Sequence, residues 1–157
     1  MRWVASFLVL RVLAGEPCGA AEHKSWNQIQ YVGGTVPIKT SRYDFNTTLS
    51  LTANDIVVEI APATVFQSKK TVRIKVSQVL SLSANDAAWR KVGAVNGARL
   101  PAKPPTLFGV LLNNDFLGLI YAGDDGRKGA MLFDSAFAPV ILRVLSKLTG
   151  KPIENSP

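Results

Sequence analysis

The sequence predicts a mainly β domain that ends in one C-terminal α-helix. Runs in which apolar and polar residues alternate occupy most of the chain, and this period of two is typical of strands that bury one face. Near the C-terminus the period changes to that of an amphipathic helix. The chain has 157 residues, of which 47% are hydrophobic and 18% charged. This length and composition suit a single folded domain and argue against a disordered chain.

The first 21 residues are predicted to be a secretory signal peptide. Met1-Arg2 gives a positive start, Trp3 to Leu10 form a short apolar core, and Gly19-Ala20-Ala21 form a small-residue cleavage site. The remaining domain, residues 22–157, contains no cysteine and suits an oxidising compartment. We therefore expect a periplasmic or extracellular protein. Because Arg11 interrupts the apolar run, the alternative is a hydrophobic helix or strand packed on a cytoplasmic domain.

Seven segments of the remaining chain have the composition and period of strands. The turns Thr52–Asp55 and Asp125-Gly126 separate neighbouring strands and favour hairpins. A bend is expected near Ser77-Gln78, where the apolar positions change face. The last three segments are predicted to form an antiparallel meander. The predicted strands are 26–32, 45–51, 56–60, 71–83, 107–112, 116–121 and 128–133.

The final element is predicted to be a helix with one apolar stripe. Asp134 or Ser135 can cap its start, and Gly150 can take the left-handed position after its end. A helix with one buried face needs a sheet to cover. A second segment, 83–95, contains Trp89 and can hold a short helical turn. The predicted stripe consists of Phe137, Val140, Ile141, Val144, Leu145 and Leu148.

No catalytic, cofactor or metal site is predicted. The sequence has one cysteine and one histidine, which excludes a disulfide framework and a cysteine-based zinc site. A nucleophile such as Ser77 or Ser135 would have no obvious base. Asp124-Asp125 fits a hairpin turn better than a calcium site, and Thr149-Gly150-Lys151 fits a helix C-terminus better than a phosphate loop.

One group of cations is the candidate binding surface: Lys69, Lys70, Arg73 and Lys75. Lysines 69 and 70 precede the long predicted strand, and the other two cations project from its polar face. Such a stripe can meet phosphate, an acidic polymer or an acidic protein. The alternative is a solvated face that discourages edge-to-edge aggregation. Nucleic acid is not expected, because no aromatic residues are interleaved for base stacking.

Three segments resemble a group of small bacterial proteins with the pleckstrin-homology-like (PH-like) fold. They are the long strand Val72 to Leu82, the hairpin Asp124 to Ala130 and the helix end Leu148 to Pro152, within a resemblance that spans Trp26 to Ile153. The resemblance implies a bent antiparallel sheet, or partly open barrel, whose end the helix caps. It also implies a non-catalytic protein that binds phosphoinositide head groups, peptides or other proteins.

The lipid site of such domains is not carried over to this chain. Lipid-binding members hold a basic cluster on the first two strands and the loop between them, and this stretch offers only Lys39 and Arg42. We therefore expect an exported binding domain whose partner is an acidic envelope protein or an anionic surface. No transmembrane span is expected in residues 22–157, since no apolar run is long enough.

The alternative function is a small carrier that holds a hydrophobic ligand or lipid inside the barrel. Bulky inward positions are expected to fill a barrel of this size and argue against that function. An enzyme would instead require a cleft that gathers carboxylates with shifted pKa values. The inward positions are predicted to include Phe45, Leu49, Ile74, Phe108 and Phe133.

Overall fold

The computed structural model describes residues 23–41, 44–102 and 115–155. The predicted signal peptide, Arg42 and the predicted strand 107–112 with Phe108 lie outside the described residues. The strands are β1 (Lys24–Gly34), β2 (Thr47–Leu51), β3 (Asp55–Ile60), β4 (Lys70–Lys75), β5 (Val79–Ala84), β6 (Phe116–Ala122), β7 (Lys128–Asp134) and β8 (Ile153–Glu154), and the helices are α1 (Asn85–Gly93) and α2 (Ala138–Thr149).

One eight-stranded sheet dominates the fold, in the order β4-β3-β2-β1-β7-β6-β5-β8. Neighbouring strands are antiparallel except for β5 and β8, which are parallel. The sheet is not closed into a barrel, and α2 packs against it. The predicted fold class, mainly β with a C-terminal helix, is confirmed.

The predicted long strand 71–83 is wrong as a single strand, although the predicted bend is present. A 3-10 turn at Val76–Gln78 separates β4 from β5. These two strands hold the first and seventh places in the sheet order. Because only three residues join them, the sheet must curl until one end of β4 comes close to one end of β5 at this corner.

The main core lies on the inner face of the curled sheet and includes α2. The helix buries Ala138, Ile141, Leu142 and Leu145, and Gly150 ends it in the left-handed conformation at φ 69°. The predicted apolar stripe is partly wrong, because Phe137 and Val140 are 45% and 48% exposed. The chain has more consecutive apolar residues here than one helix face can hold, and the face that contacts the sheet is the one centred on Ile141 and Leu142.

Segment 83–95, where a short helical turn was expected, forms the nine-residue helix α1. Helix α1 covers the outer face of β6 and β7, where Trp89 and Phe116 pack edge to face with ring centroids 5.3 Å apart. Along β6, Leu117 and Leu119 belong to the inner core, whereas Phe116 and Ile120 contact the outer cluster. This half of the sheet is therefore buried on both faces.

Strand β2 begins two residues later than predicted, which changes the position of Phe45. Thr47, Leu49 and Leu51 alternate into the core as predicted. Phe45 is 52% exposed, so its predicted inward position is wrong. The backbone of Asp44 is turned back toward Ser41, with N···O 3.2 Å, and the strand period does not extend to residue 45.

Candidate functional site

The four predicted cations lie on or beside β4, the edge strand of the sheet. Lys69, Lys70, Arg73 and Lys75 are all exposed, whereas Ile74 between the last two is fully buried. The predicted projection of Arg73 and Lys75 from the polar face is therefore confirmed. The structure brings the four cations together along one exposed edge.

Two of these four cations are paired with carboxylates of the neighbouring strand. Lys69 Nζ lies 2.8 Å from Glu59 Oε1, and Arg73 Nη1 lies 3.4 Å from Asp55 Oδ2. Both acids belong to β3, whose register with β4 places Asp55 directly opposite Lys75 and Glu59 opposite Thr71, so that both ion pairs run diagonally between the two strands. Such exposed pairs contribute between zero and about 1 kcal/mol, so a stronger anion can displace the carboxylates.

Lys70 and Lys75 have no ion pair among the residues that the structure describes. Four cations and two paired acids leave two net positive charges on this edge. The surface is therefore less positive than the sequence alone suggested. Its two free cations stand at the two ends of β4.

The loop between β3 and β4 carries an apolar pair that sequence analysis missed. Val65 and Phe66 are 94% and 95% exposed. They occupy the central positions of a turn in which Gln67 N donates to Thr64 O at 3.3 Å. The sequence did contain a signal for this exposed pair: a Val-Phe dipeptide stands inside a segment whose proline, serine and lysines are typical of a loop.

Backbone hydrogen bonds hold the base of this loop. Ala61 N donates to Asn46 O at 3.2 Å, and the Asn46 side-chain amide donates back to Ala61 O. Ala63 N donates to Lys39 O at 3.4 Å. These contacts bring exposed Lys39 and Phe45 to the same end of the sheet as the loop. The tip surface is defined here as Phe45, Val65 and Phe66 with Lys39, Lys69 and Lys70.

Three titratable groups in the described part of the chain have clearly shifted pKa values. Burial raises the pKa of Asp134, and the neighbouring Asp115 carboxylate raises it further. Burial also raises the pKa of Tyr31, whose hydroxyl donates to Val36 O at 3.2 Å, and that of Tyr121. No group of three potential metal ligands is present among residues 23–41, 44–102 and 115–155.

The two serines considered as nucleophiles have other surroundings. Ser135 is buried, and its Oγ accepts a hydrogen bond from Phe137 N at 3.1 Å at the start of α2. The predicted cap by Asp134 or Ser135 is wrong, because the N-cap residue of α2 is Phe137 and no side chain caps the helix. Ser77 is exposed in the 3-10 turn.

The interior of the curled sheet is filled by side chains. Leu49, Ile74 and Phe133 are buried within one continuous cluster, as predicted for inward positions. Open space lies instead in surface grooves. One of about 720 Å³ lies between the end of α1 and strands β5 to β7, lined in part by Leu80, Lys91 and Ile120.

No protein-family model matches this chain, and no curated protein matches its sequence. Within the described residues, neither helix is long and apolar enough to cross a bilayer. Function is therefore inferred from the fold and from the surface chemistry of the described residues.

Proposed function

We propose that this protein is a non-catalytic, exported domain of the PH-like class that binds an acidic partner or surface through β4. The PH-like class is supported by seven antiparallel strands in one curled sheet, followed by α2. Export is supported by the N-terminal sequence, with its apolar core and small-residue cleavage site.

The observation that carries the binding proposal is the pair of free, exposed cations at the ends of an edge strand. Lys70 and Lys75 can meet an anion without first losing a carboxylate partner. Lys69 and Arg73 can exchange their exposed carboxylates for a partner's anions at little cost. A surface of this sign attracts acidic partners over about 10 Å at moderate salt.

The carrier function is less well supported by the packing of the domain. A ligand inside the curled sheet would have to displace fully buried side chains such as Ile74 and Leu82. Small barrels of this kind are filled by their own residues.

The lysines on the edge strand are compatible with a second role. They protect the strand from pairing with other strands, and this protection does not prevent them from binding an acidic surface reversibly.

The test is the salt concentration at which the protein elutes from immobilised polyglutamate. We expect Lys70→Gln/Lys75→Gln to elute at clearly lower salt than the wild type. Without these two cations the protein makes fewer ionic contacts with polyglutamate, and a lower salt concentration screens those that remain. Lys147→Gln/Lys151→Gln removes the same charge from exposed positions near the end of α2 and is the matched control. Equal shifts for the two variants would mean that retention reflects only the net charge of +7, and the proposal would fail.

A further inference from the structure

We propose that the anionic surface is a lipid bilayer, and that Val65 and Phe66 insert into its headgroup region while Lys39, Lys69 and Lys70 contact lipid phosphates. This inference rests on the proposed function, because two of its cations belong to the same basic edge. It names the partner and adds an apolar anchor that the basic edge lacks.

The degree of exposure sets Val65 and Phe66 apart from the rest of the described surface. The other large apolar side chains at the surface are only about half exposed: Leu80 is 42% exposed and Val140 is 48% exposed. Val65 and Phe66 have almost no cover, at 94% and 95% exposed. Because the hydrogen-bonded loop base keeps them at the tip, this apolar area stays in water until something covers it.

The spacing between the apolar tip and the cations fits a bilayer interface. Lys69 and Lys70 follow Phe66 by three and four residues, so their backbone lies at most about 10 to 13 Å from that of Phe66. An interfacial anchor places its apolar side chains about 5 to 10 Å into the headgroup and acyl boundary. Lysines at this distance, with their long flexible side chains, reach the phosphate level.

Charge and chemistry favour a bilayer over the other possible covers. A second copy of the chain would bring cations against cations, since the tip surface is basic and the net charge is +7. An acidic protein would satisfy the lysines but would also need a pocket for Val65 and Phe66. An anionic bilayer supplies both environments at once.

The position of this surface is also different from that of the PH-like lipid site. The tip belongs to the loop between β3 and β4, whereas lipid-binding members hold their basic cluster on the first two strands. Insertion here requires no headgroup pocket. The inference therefore predicts dependence on bilayer charge and no selectivity for one headgroup.

The experiment is co-sedimentation of the exported protein, without the predicted signal peptide 1–21, with vesicles of phosphatidylcholine, with and without about one quarter phosphatidylglycerol. We expect binding to the anionic vesicles only. Val65→Ser/Phe66→Ser should lower the partition coefficient about tenfold or more, because the insertion energy is lost. Lys69→Gln and Lys70→Gln should each lower it about fivefold, the equivalent of about 1 kcal/mol per surface lysine. Leu80→Ser, a half-exposed apolar residue elsewhere, is the control and should change nothing.

Insertion itself is measured with Phe66→Trp. Its additional emission, relative to the native Trp26 and Trp89 of the exported protein, should shift to the blue on anionic vesicles and be quenched by brominated lipid. Unshifted emission, or unchanged binding by Val65→Ser/Phe66→Ser, would overturn the inference. A fall in melting temperature or a change of oligomeric state in that variant would also overturn it, because the pair would then be covered by the chain itself or by a second copy.

The two proposals fail in different ways. Retention on polyglutamate that depends on Lys70 and Lys75, without any vesicle binding, would overturn the bilayer and leave the basic edge as a protein-binding surface. Loss of both the lysine-dependent retention on polyglutamate and the binding to vesicles would overturn the proposed function as well.

Discussion

At the scale of single residues, Gly118 decides how closely α1 approaches the sheet. A Cβ atom at this position would lie 2.5 Å from Ser83 Oγ and 2.9 Å from Ala88 Cβ. Real Cβ atoms are not found at such distances, so the strand or helix would have to move. We expect Gly118→Ala to lower the free energy of unfolding by about 1 to 3 kcal/mol, measured by urea denaturation.

Gly93→Ala is the matched control for this substitution. Its added Cβ would meet Leu100 Cδ1 at 3.4 Å, an ordinary contact, and alanine is favoured over glycine in a helix. Its stability should be equal to or slightly above that of the wild type. Equal stability of Gly118→Ala and Gly93→Ala would contradict the close approach of α1.

Single residues also show where sequence patterns stop being informative. The exposure of Arg73 and Lys75 could be predicted, because alternation about buried Ile74 fixes it. The exposure of Val65 and Phe66 could not be read from any period, since a turn has none. Whether an apolar loop residue is covered depends on which other element comes near, and that is a tertiary property.

At the scale of elements, helix α2 shows that the sequence period predicts the bounds of a helix, whereas packing decides which of its faces is buried. Its bounds, 138–149, differ by one residue from the predicted stripe 137–148, because Pro139 and Gly150 fix its ends. Its rotation was not predictable. Val140, Ile141 and Leu142 are all apolar, and only contact with the sheet determines which of them face inward.

This rotation gives a direct prediction for two neighbouring positions. Leu142 is 3% exposed and Val140 is 48% exposed. Leu142→Ala should lower the free energy of unfolding by about 2 to 5 kcal/mol, through lost burial and a cavity. Val140→Ala should change it by less than about 0.5 kcal/mol. Chemical denaturation followed by circular dichroism measures both, and the reverse ranking would mean that the sequence-based stripe, not the observed face, packs on the sheet.

At the scale of the whole molecule, the strand order was outside the reach of sequence patterns. Alternation identifies a strand but not its partner. Strand β1 pairs with β7, joining Gln30 to Asp134 across most of the chain. The corner at Val76–Gln78 follows from this order, because it must connect the first strand of the sheet, β4, to the seventh, β5. Local bends can be expected from sequence, but their consequence for the shape of the molecule cannot.

Gln78 holds this corner with two hydrogen bonds and provides the last prediction. Its Oε1 accepts from Lys75 N at 2.8 Å, and its Nε2 donates to Asp124 Oδ1 at 2.7 Å in the turn after β6. We expect Gln78→Ala to lower the free energy of unfolding by about 1 to 2 kcal/mol, since partly exposed hydrogen bonds contribute about 0.5 to 1.5 kcal/mol each.

Ser77→Ala, at an exposed neighbour in the same turn, is the control and should leave stability unchanged. Asp124→Ala removes only one of the two bonds of Gln78 and should have an intermediate effect. Hydrogen exchange provides a second measurement: in Gln78→Ala, the amides of β4 should exchange faster while those of β6 and β7, buried on both faces, should not. Uniform acceleration throughout the sheet would mean that the corner has no local role in holding the edge strand that carries Arg73 and Lys75.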